Sequence, residues 1–161
     1  MALEDDIDFL NRIPTLQLLG KDALRILAIS VETIQLGRGD ILFEEGQPAD
    51  SGFVVVNGAV VLQQAGSSAA SDDGAITARR GSLIGETAMI VDTVRPSTAI
   101  ALESTVLFRI PRVVFVRILE GEPQAATALR RLIAARVKRI VGDLDLVLPL
   151  FDSGEETRDI R

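Results

Sequence analysis

The sequence contains no cysteine, histidine, tryptophan or tyrosine, and phenylalanine is its one aromatic residue type. Without cysteine there is no disulfide and no thiolate nucleophile, and without histidine there is no Ser-His-Asp triad and no imidazole acid–base catalyst. Zinc sites built on either residue are excluded as well. Asp and Glu could still bind a hard cation, but no close carboxylate cluster of the EF-hand type occurs, so no metal is expected. The chain reads as a binding protein and not as an enzyme.

Positive charge is in deficit, with 17 Lys and Arg against 23 Asp and Glu and a net charge of -6. A protein held on nucleic acid by phosphate contacts normally carries a basic face, so nucleic-acid binding is not expected. The same acidity disfavours any anionic ligand at long range, and a phosphate site must then rest on donors placed close by. Long apolar runs are lacking too. The C-terminal one is broken by Asp143 and Asp145, short of the roughly eighteen residues of a membrane span, so no membrane partner is expected. Residues 1–10, MALEDDIDFL, carry acids where a secretory signal carries bases. These features predict a cytoplasmic protein.

What the chain does contain is enough apolar residue, 47% of 161, for one folded domain. Residues 4–30 show a helical pattern punctuated by Pro14 and Gly20, with Leu10, Ile13, Leu16, Leu19, Leu24, Leu27 and Ile29 as apolar faces. From Val31 short runs of Val, Ile, Leu and Phe alternate with Gly, Pro, Asn and Asp, the pattern of an all-β roll or barrel. Strands are predicted near 34–36, 41–43, 53–56, 59–64, 75–79 and 106–111. Asn57-Gly58 predicts a tight two-residue hairpin, and 65–74, AGSSAASDDG, an exposed loop.

Residues 113–119 and 124–148 read as helices separated by Glu120-Gly121-Glu122-Pro123, and 151–161 as a polar tail. The predicted organisation is a helical segment at 1–30, a β-roll at 31–112, helices at 113–150 and the tail. Leu129, Ile133, Val137, Ile140, Leu144 and Val147 make one apolar stripe on the last helix. It either packs on its own roll or forms a two-fold homodimer interface.

Within the β region Gly85 and Glu86 open about one helical turn, and Arg95 follows in a loop ending at Pro96. The unpaired N–H groups at the start of a turn bind anions, and Gly85 lets a ligand approach the backbone. Arg95 adds a planar, permanently charged fork for two phosphate oxygens. Glu86 beside a phosphate makes sense if the ligand is a nucleotide, because its carboxylate suits a ribose hydroxyl.

GDILFEEGQPADSGFVVVNGAVVL, with Gly39, Gly46, Asp50, Phe53 and Gly58, and GSLIGETAMIVDTVRPSTA, with Gly81, Gly85, Glu86 and Arg95, resemble the cyclic-nucleotide-binding domain family. Catabolite activator proteins, kinase regulatory subunits and nucleotide-gated channels carry such domains, and the resemblance covers about 16–148. It implies a mainly β fold with flanking α, a jelly-roll-like β-roll between N-terminal helices and a long C-terminal helix, with its phosphate-binding cassette at 84–98. It implies cyclic AMP as ligand, with Glu86 on the ribose 2′-hydroxyl, Arg95 on the cyclic phosphate and the N–H groups of Thr87 and Ala88 completing the cradle. The base would lie against Val54, Leu83 and Thr98, under a lid from the final helix.

The sequence departs from the family at Pro96, where relatives carry Ala, Ser or Thr and often use the N–H. Proline has neither that N–H nor a hydroxyl, which leaves Ser97 as the nearest substitute donor and removes a candidate guanine contact. No helix-turn-helix fits into 151–161, so the resemblance implies a stand-alone sensor acting on a protein partner or on itself. The alternatives are a fold-retaining interaction or dimerisation module without ligand, and a small-barrel enzyme such as a cupin, whose usual metal site the missing histidines argue against.

Overall fold

The computed structural model describes residues 3–64, 75–132 and 134. The loop expected at 65–74, the stripe from Ile133 onward with its lid or dimer role, and the tail at 151–161 lie outside the described residues. The chain divides into two compact units, Met1–Ala125 and Ala126–Arg161. In the second, residues 126–132 and 134 are helical. All that follows concerns the first.

Three helices open it: α1 (Leu3–Leu10), α2 (Pro14–Gln17) and α3 (Lys21–Ser30). Glu4, Asp5 and Asp6 occupy the first turn of α1, where negative charge meets the positive end of the helix dipole. Pro14 starts α2, where its missing N–H leaves nothing unpaired. Apolar residues at helical spacing, Ile7 and Leu10 in α1 and Ala23, Leu24, Leu27 and Ala28 in α3, are buried. Glu4 and Arg25 join the two helices across 3.0 Å.

Ten short strands follow: β1 (Glu32–Leu36), β2 (Ile41–Phe43), β3 (Pro48–Ala49), β4 (Ser51–Asn57), β5 (Ala59–Gln63), β6 (Ile76–Arg79), β7 (Leu83–Ile84), β8 (Thr93–Val94), β9 (Thr98–Ala101) and β10 (Thr105–Pro111). They form two four-stranded sheets, ordered β1-β10-β4-β7 and β2-β9-β5-β6, and a β3-β8 ribbon. Helix α4 (Arg112–Glu120) leaves β10 directly.

Alternation along the strands divides the apolar residues between two layers. Phe43, Phe53, Val55, Val60, Ala78, Ile84, Ala99 and Leu107 fill the space between the two large sheets. Val54 and Phe108, cross-strand partners, point the other way, and Phe108 meets Phe9 of α1 edge-on at 6.5 Å between ring centres. One sheet therefore has an inner face toward the roll and an outer face toward the helices.

The structure corrects the hairpin expected at Asn57-Gly58. Strands β4 and β5 belong to different sheets and do not pair; Asn57 is still in β4, opposite Val106, and Gly58 turns the chain from one sheet into the other. Gly58 has the positive φ, 98°, that the motif requires. What decides the outcome is β10: a Cβ on Gly58 would lie 2.6 Å from the Ser104 carbonyl oxygen and 2.7 Å from Thr105 Cα. The buried Thr105 hydroxyl holds the corner, donating to the Ala59 carbonyl at 3.2 Å and accepting from the Ala59 N–H at 3.3 Å.

Gly58→Ala must both adopt a left-handed backbone and displace main chain, so it should lower stability by at least about 2 kcal/mol in urea denaturation. An unchanged midpoint would mean that β10 does not press on this corner.

Candidate functional site

The cassette begins where β7 ends. Gly85 is left-handed, with φ 72° and ψ 36°, and it swings the chain into a 3-10 turn, Glu86–Met89. The Ala88 N–H donates to the Gly85 carbonyl at 3.1 Å and the Ile90 N–H to the Thr87 carbonyl at 3.1 Å. Ala88 is buried and its amide is thus engaged within the turn. Thr87 is exposed, and its amide precedes the first bond of that ladder. Of the two amides expected to cradle a phosphate, Thr87's is the one aimed beyond the turn's own bonding.

Arg95 is pinned by its backbone: its N–H donates to the Gln47 carbonyl and its carbonyl accepts from the Gly46 N–H, both at 2.8 Å. Its side chain runs inward and the residue is only 4% exposed. The guanidinium carbon sits 4.3 Å from the ring centre of Phe43 and 5.3 Å from that of Phe53, within cation–π range of both. Nη2 donates to the Ser51 hydroxyl at 3.3 Å. Nη1 is buried with no hydrogen-bond partner among the described residues, and a Cβ on Gly85 would lie 2.8 Å from it. Nη1 therefore occupies the space that a side chain at position 85 would fill.

Burial pushes the Arg95 guanidinium below its ordinary pKa; Asp50 opposes the shift and Arg109 adds to it. An arginine nonetheless stays charged at neutral pH, so the roll holds a desolvated cation with one nitrogen unpartnered among the described residues. Asp50 is exposed and shaped by the same surroundings. Its slight desolvation acts upward, but the Ser51 hydroxyl and Arg109 hold the carboxyl below its ordinary value. Arg109 bridges Asp50 at 3.3 Å and Glu32 at 3.2 Å. Any stabilisation from the depressed Asp50 pKa is present above the ordinary carboxylate range and is lost as pH falls through the folded-state value.

Glu86 accepts a hydrogen bond on Oε2 from the Thr15 hydroxyl at 2.9 Å, across 71 residues, and Thr15 is buried. Pro96 is exposed and Ser97 half-buried. The Thr98 hydroxyl accepts from the Glu45 N–H at 2.9 Å, which ties down the turn after β2.

Two of the residues expected beside the base lie on the face of the sheet opposite Arg95. Val54 pairs with Leu83 and Phe53 with Ile84, and cross-strand partners share a face. Phe53 and Ile84 are on the inner face with Arg95, so Val54, which is fully buried, and Leu83 are on the helix side. Phe43 and Phe53, which Arg95 meets, belong to the inner cluster that also holds Val60, Ala78 and Ala99, with Leu62 packed against it. Sequence reasoning also missed Thr15, Ser51 and Phe43 as site residues. Only the two-residue alternation that carries Ser51 and Phe53 was there to find.

Among the described residues no group of His, Cys, Asp and Glu could hold a metal, and no helix is long and apolar enough to cross a membrane. The arrangement is a buried arginine packed against a glycine that starts a short turn, with a carboxylate on that turn's first residue, framed by an antiparallel roll. It defines a cyclic-nucleotide-binding class of protein. The family model described as the cyclic nucleotide-binding domain matches residues 33–122, and the chain belongs to that family.

A solved cyclic nucleotide-binding-like protein from Brucella abortus is 35% identical, with a TM-score of 0.60 over 72% of this chain and 98% of that one. The N-terminal domain of a transcriptional regulator from Streptomyces coelicolor is 31% identical, with a TM-score of 0.67 over 83% of this chain and 94% of that one. Among curated proteins, the lysophospholipase NTE1 of Chaetomium globosum is 26% identical over 128 residues, 77% of this chain. The chain spans only 8% of the length of that relative.

A buried ion can often be replaced by an apolar side chain of similar length without loss. Arg95→Met should therefore keep the free domain's stability within about 1 kcal/mol of the wild type, or raise it, in chemical denaturation. A clear loss would make Arg95 a structural bolt between the sheets.

Proposed function

We propose that this domain binds cyclic AMP in the cassette and acts as a cytoplasmic sensor or regulatory module, without catalytic activity of its own. The observation that carries the reading is Arg95 Nη1, a buried cationic donor with no hydrogen-bond partner among the described residues, packed against Gly85 at the start of the cassette turn. A cyclic phosphate seated there would complete its hydrogen bonding and meet the Thr87 amide. Glu86, oriented by Thr15, would accept from the ribose 2′-hydroxyl. Pro96 offers neither N–H nor hydroxyl to a guanine, which favours adenine by default. That the chain matches about a twelfth of a much longer lysophospholipase supports reading it as a regulatory part of such proteins. Output would pass through the C-terminal helix, to a second copy or to another protein.

One observation favours a second reading, a fold-retaining interaction module that no longer takes nucleotide. The Ala88 amide is already engaged and Pro96 has none, so two backbone donors are withdrawn from the cradle.

Titration calorimetry separates the two. Cyclic AMP should bind, more tightly than cyclic GMP, and Arg95→Met should weaken it by about 1.5–3 kcal/mol, the usual worth of hydrogen bonds to a charged group. No heat with either nucleotide, and no rise in melting temperature at millimolar ligand, would favour the interaction module.

Pro96→Ser restores one amide and adds a hydroxyl, so it should tighten binding between about two-fold and a hundred-fold. Weaker binding in that variant would show that the natural loop has routed the phosphate to other donors, with Ser97 nearest.

A further inference from the structure

Helices α3 and α4 lie side by side on the flank of the roll. Glu32, two residues beyond α3, is the register partner of Arg109, three residues before α4, so the end of one helix adjoins the start of the other. Between them runs a groove of about 450 Å³, lined by α3 from Asp22 to Ser30 and by the stretch from Val114 to Glu122. Ala23, Ile26, Val114 and Ile118 make its walls apolar. Its one hydroxyl, on Ser30, already donates to the Ile26 carbonyl at 2.8 Å. The interior therefore keeps no free hydroxyl with which to orient a small polar ligand.

Single exposed aliphatic side chains are ordinary on a protein surface, but here they adjoin one another and the groove. Ile26 is 55% exposed, and Ile29 and Val113, which flank the groove at its Ser30 end, are 67% and 68% exposed. Asp22, Ile26 and Ile29 fall at helical spacing, so α3 presents them as one stripe. The two rims differ in sign. Asp22 stands on α3 and Arg117 on α4; both are exposed, and neither joins an ion pair among the described residues. Glu122 closes the far end.

We propose that this face is an interface with a second copy of the chain, joined about a two-fold axis that runs along the groove. Such a rotation exchanges the rims and lays α3 of each copy over α4 of the other. Ile29 then meets Val113 of the second copy, and Asp22 faces Arg117 of the second copy, each contact made twice. Opposite charge on opposite rims is what makes the patch complementary to itself. The aliphatic side chains leave water at the centre while the charged pairs stay at the edge, as in protein interfaces generally. This interface requires nothing of the nucleotide site.

The test is sedimentation of the full chain over a range of concentrations, without nucleotide. The wild type should pass from monomer to dimer. Ile29→Glu places a charge at the apolar contact and should weaken the dimer by about ten-fold or more. Asp22→Lys and Arg117→Glu, each alone, set like charges against each other across both contacts and should weaken it by about ten-fold. An equal mixture of those two variants should associate as the wild type does, because in the mixed dimer Lys faces Glu in one contact and Asp faces Arg in the other. The sequence has no cysteine, so a mixture of Ile29→Cys and Val113→Cys gives a second readout. Under oxidation it should form a mixed disulfide dimer faster than either variant forms its own.

A monomer at every concentration up to about 1 mM, where association is already negligible, would overturn the proposal. So would a dimer that Ile29→Glu and the charge reversals leave intact, which would put the contact elsewhere, the stripe at 129–147 included. Failure of the mixed charge variants to recover, with both folded by circular dichroism, would exclude the two-fold arrangement.

Discussion

A guanidinium buried to 4% exposure is the constraint around which the site is organised. Taking such an ion out of water costs several kcal/mol even after relaxation, and Arg95 recovers only part of this from two ring faces and one hydroxyl. Phe43 comes from one sheet and Phe53 from the other, so the cation is held where the two inner faces meet. Its backbone is fixed on both sides, to Gly46 and Gln47. Gly85 must lack a Cβ because the space is taken by Nη1. The result is a charge held in the roll with one donor nitrogen unsatisfied among the described residues.

The electrostatics are local. A chain of net charge -6 repels phosphate at a distance, but charges beyond about 8–10 Å are largely screened at physiological salt, and the groups that matter are closer together than that. Arg95 packs against Gly85, Arg109 braces Asp50 and Glu32, and Arg112 grips the turn's carbonyls. Three arginines thus have three different tasks. Their shared neighbour is the Ala49–Ser51 segment, which supplies the carbonyls of Ala49 and Asp50 to Arg112, the Asp50 carboxylate to Arg109 and the Ser51 hydroxyl to Arg95.

The helices are part of the site as well as its support. Thr15 in α2 reaches Glu86, so the carboxylate assigned to a sugar hydroxyl is oriented by a segment remote in sequence. At the other side α4 meets the turn through Arg112. The cassette is therefore held between the N-terminal helices and the helix that follows the roll.

Much was legible in the residues themselves. Alternating apolar strands, left-handed glycines such as Gly85, the break at Pro14 and the Gly-Glu and Arg pair of the cassette follow from local rules, because backbone conformation and face alternation are set by neighbours in the chain. What local rules cannot supply is which strand lies alongside which. Asn57-Gly58 carries the chemistry of a hairpin, but β10 takes the place beside β4, and the motif becomes a corner between sheets. Alternation separated Phe53 and Val55 from Val54 and Val56 but did not say which pair faced the inside of the roll; the register of β4 on β7 put Val54 and Leu83 on the other side. Thr15 on Glu86, Ser51 on Arg95 and Arg112 on the turn join residues 21 to 71 apart in sequence. The sequence by itself determined the strand-forming segments, the glycine-started turn and its arginine. Tertiary structure alone decided which faces meet and which side chains complete the site, since contacts between distant segments depend on the packing of the whole sheet and not on any one stretch of chain.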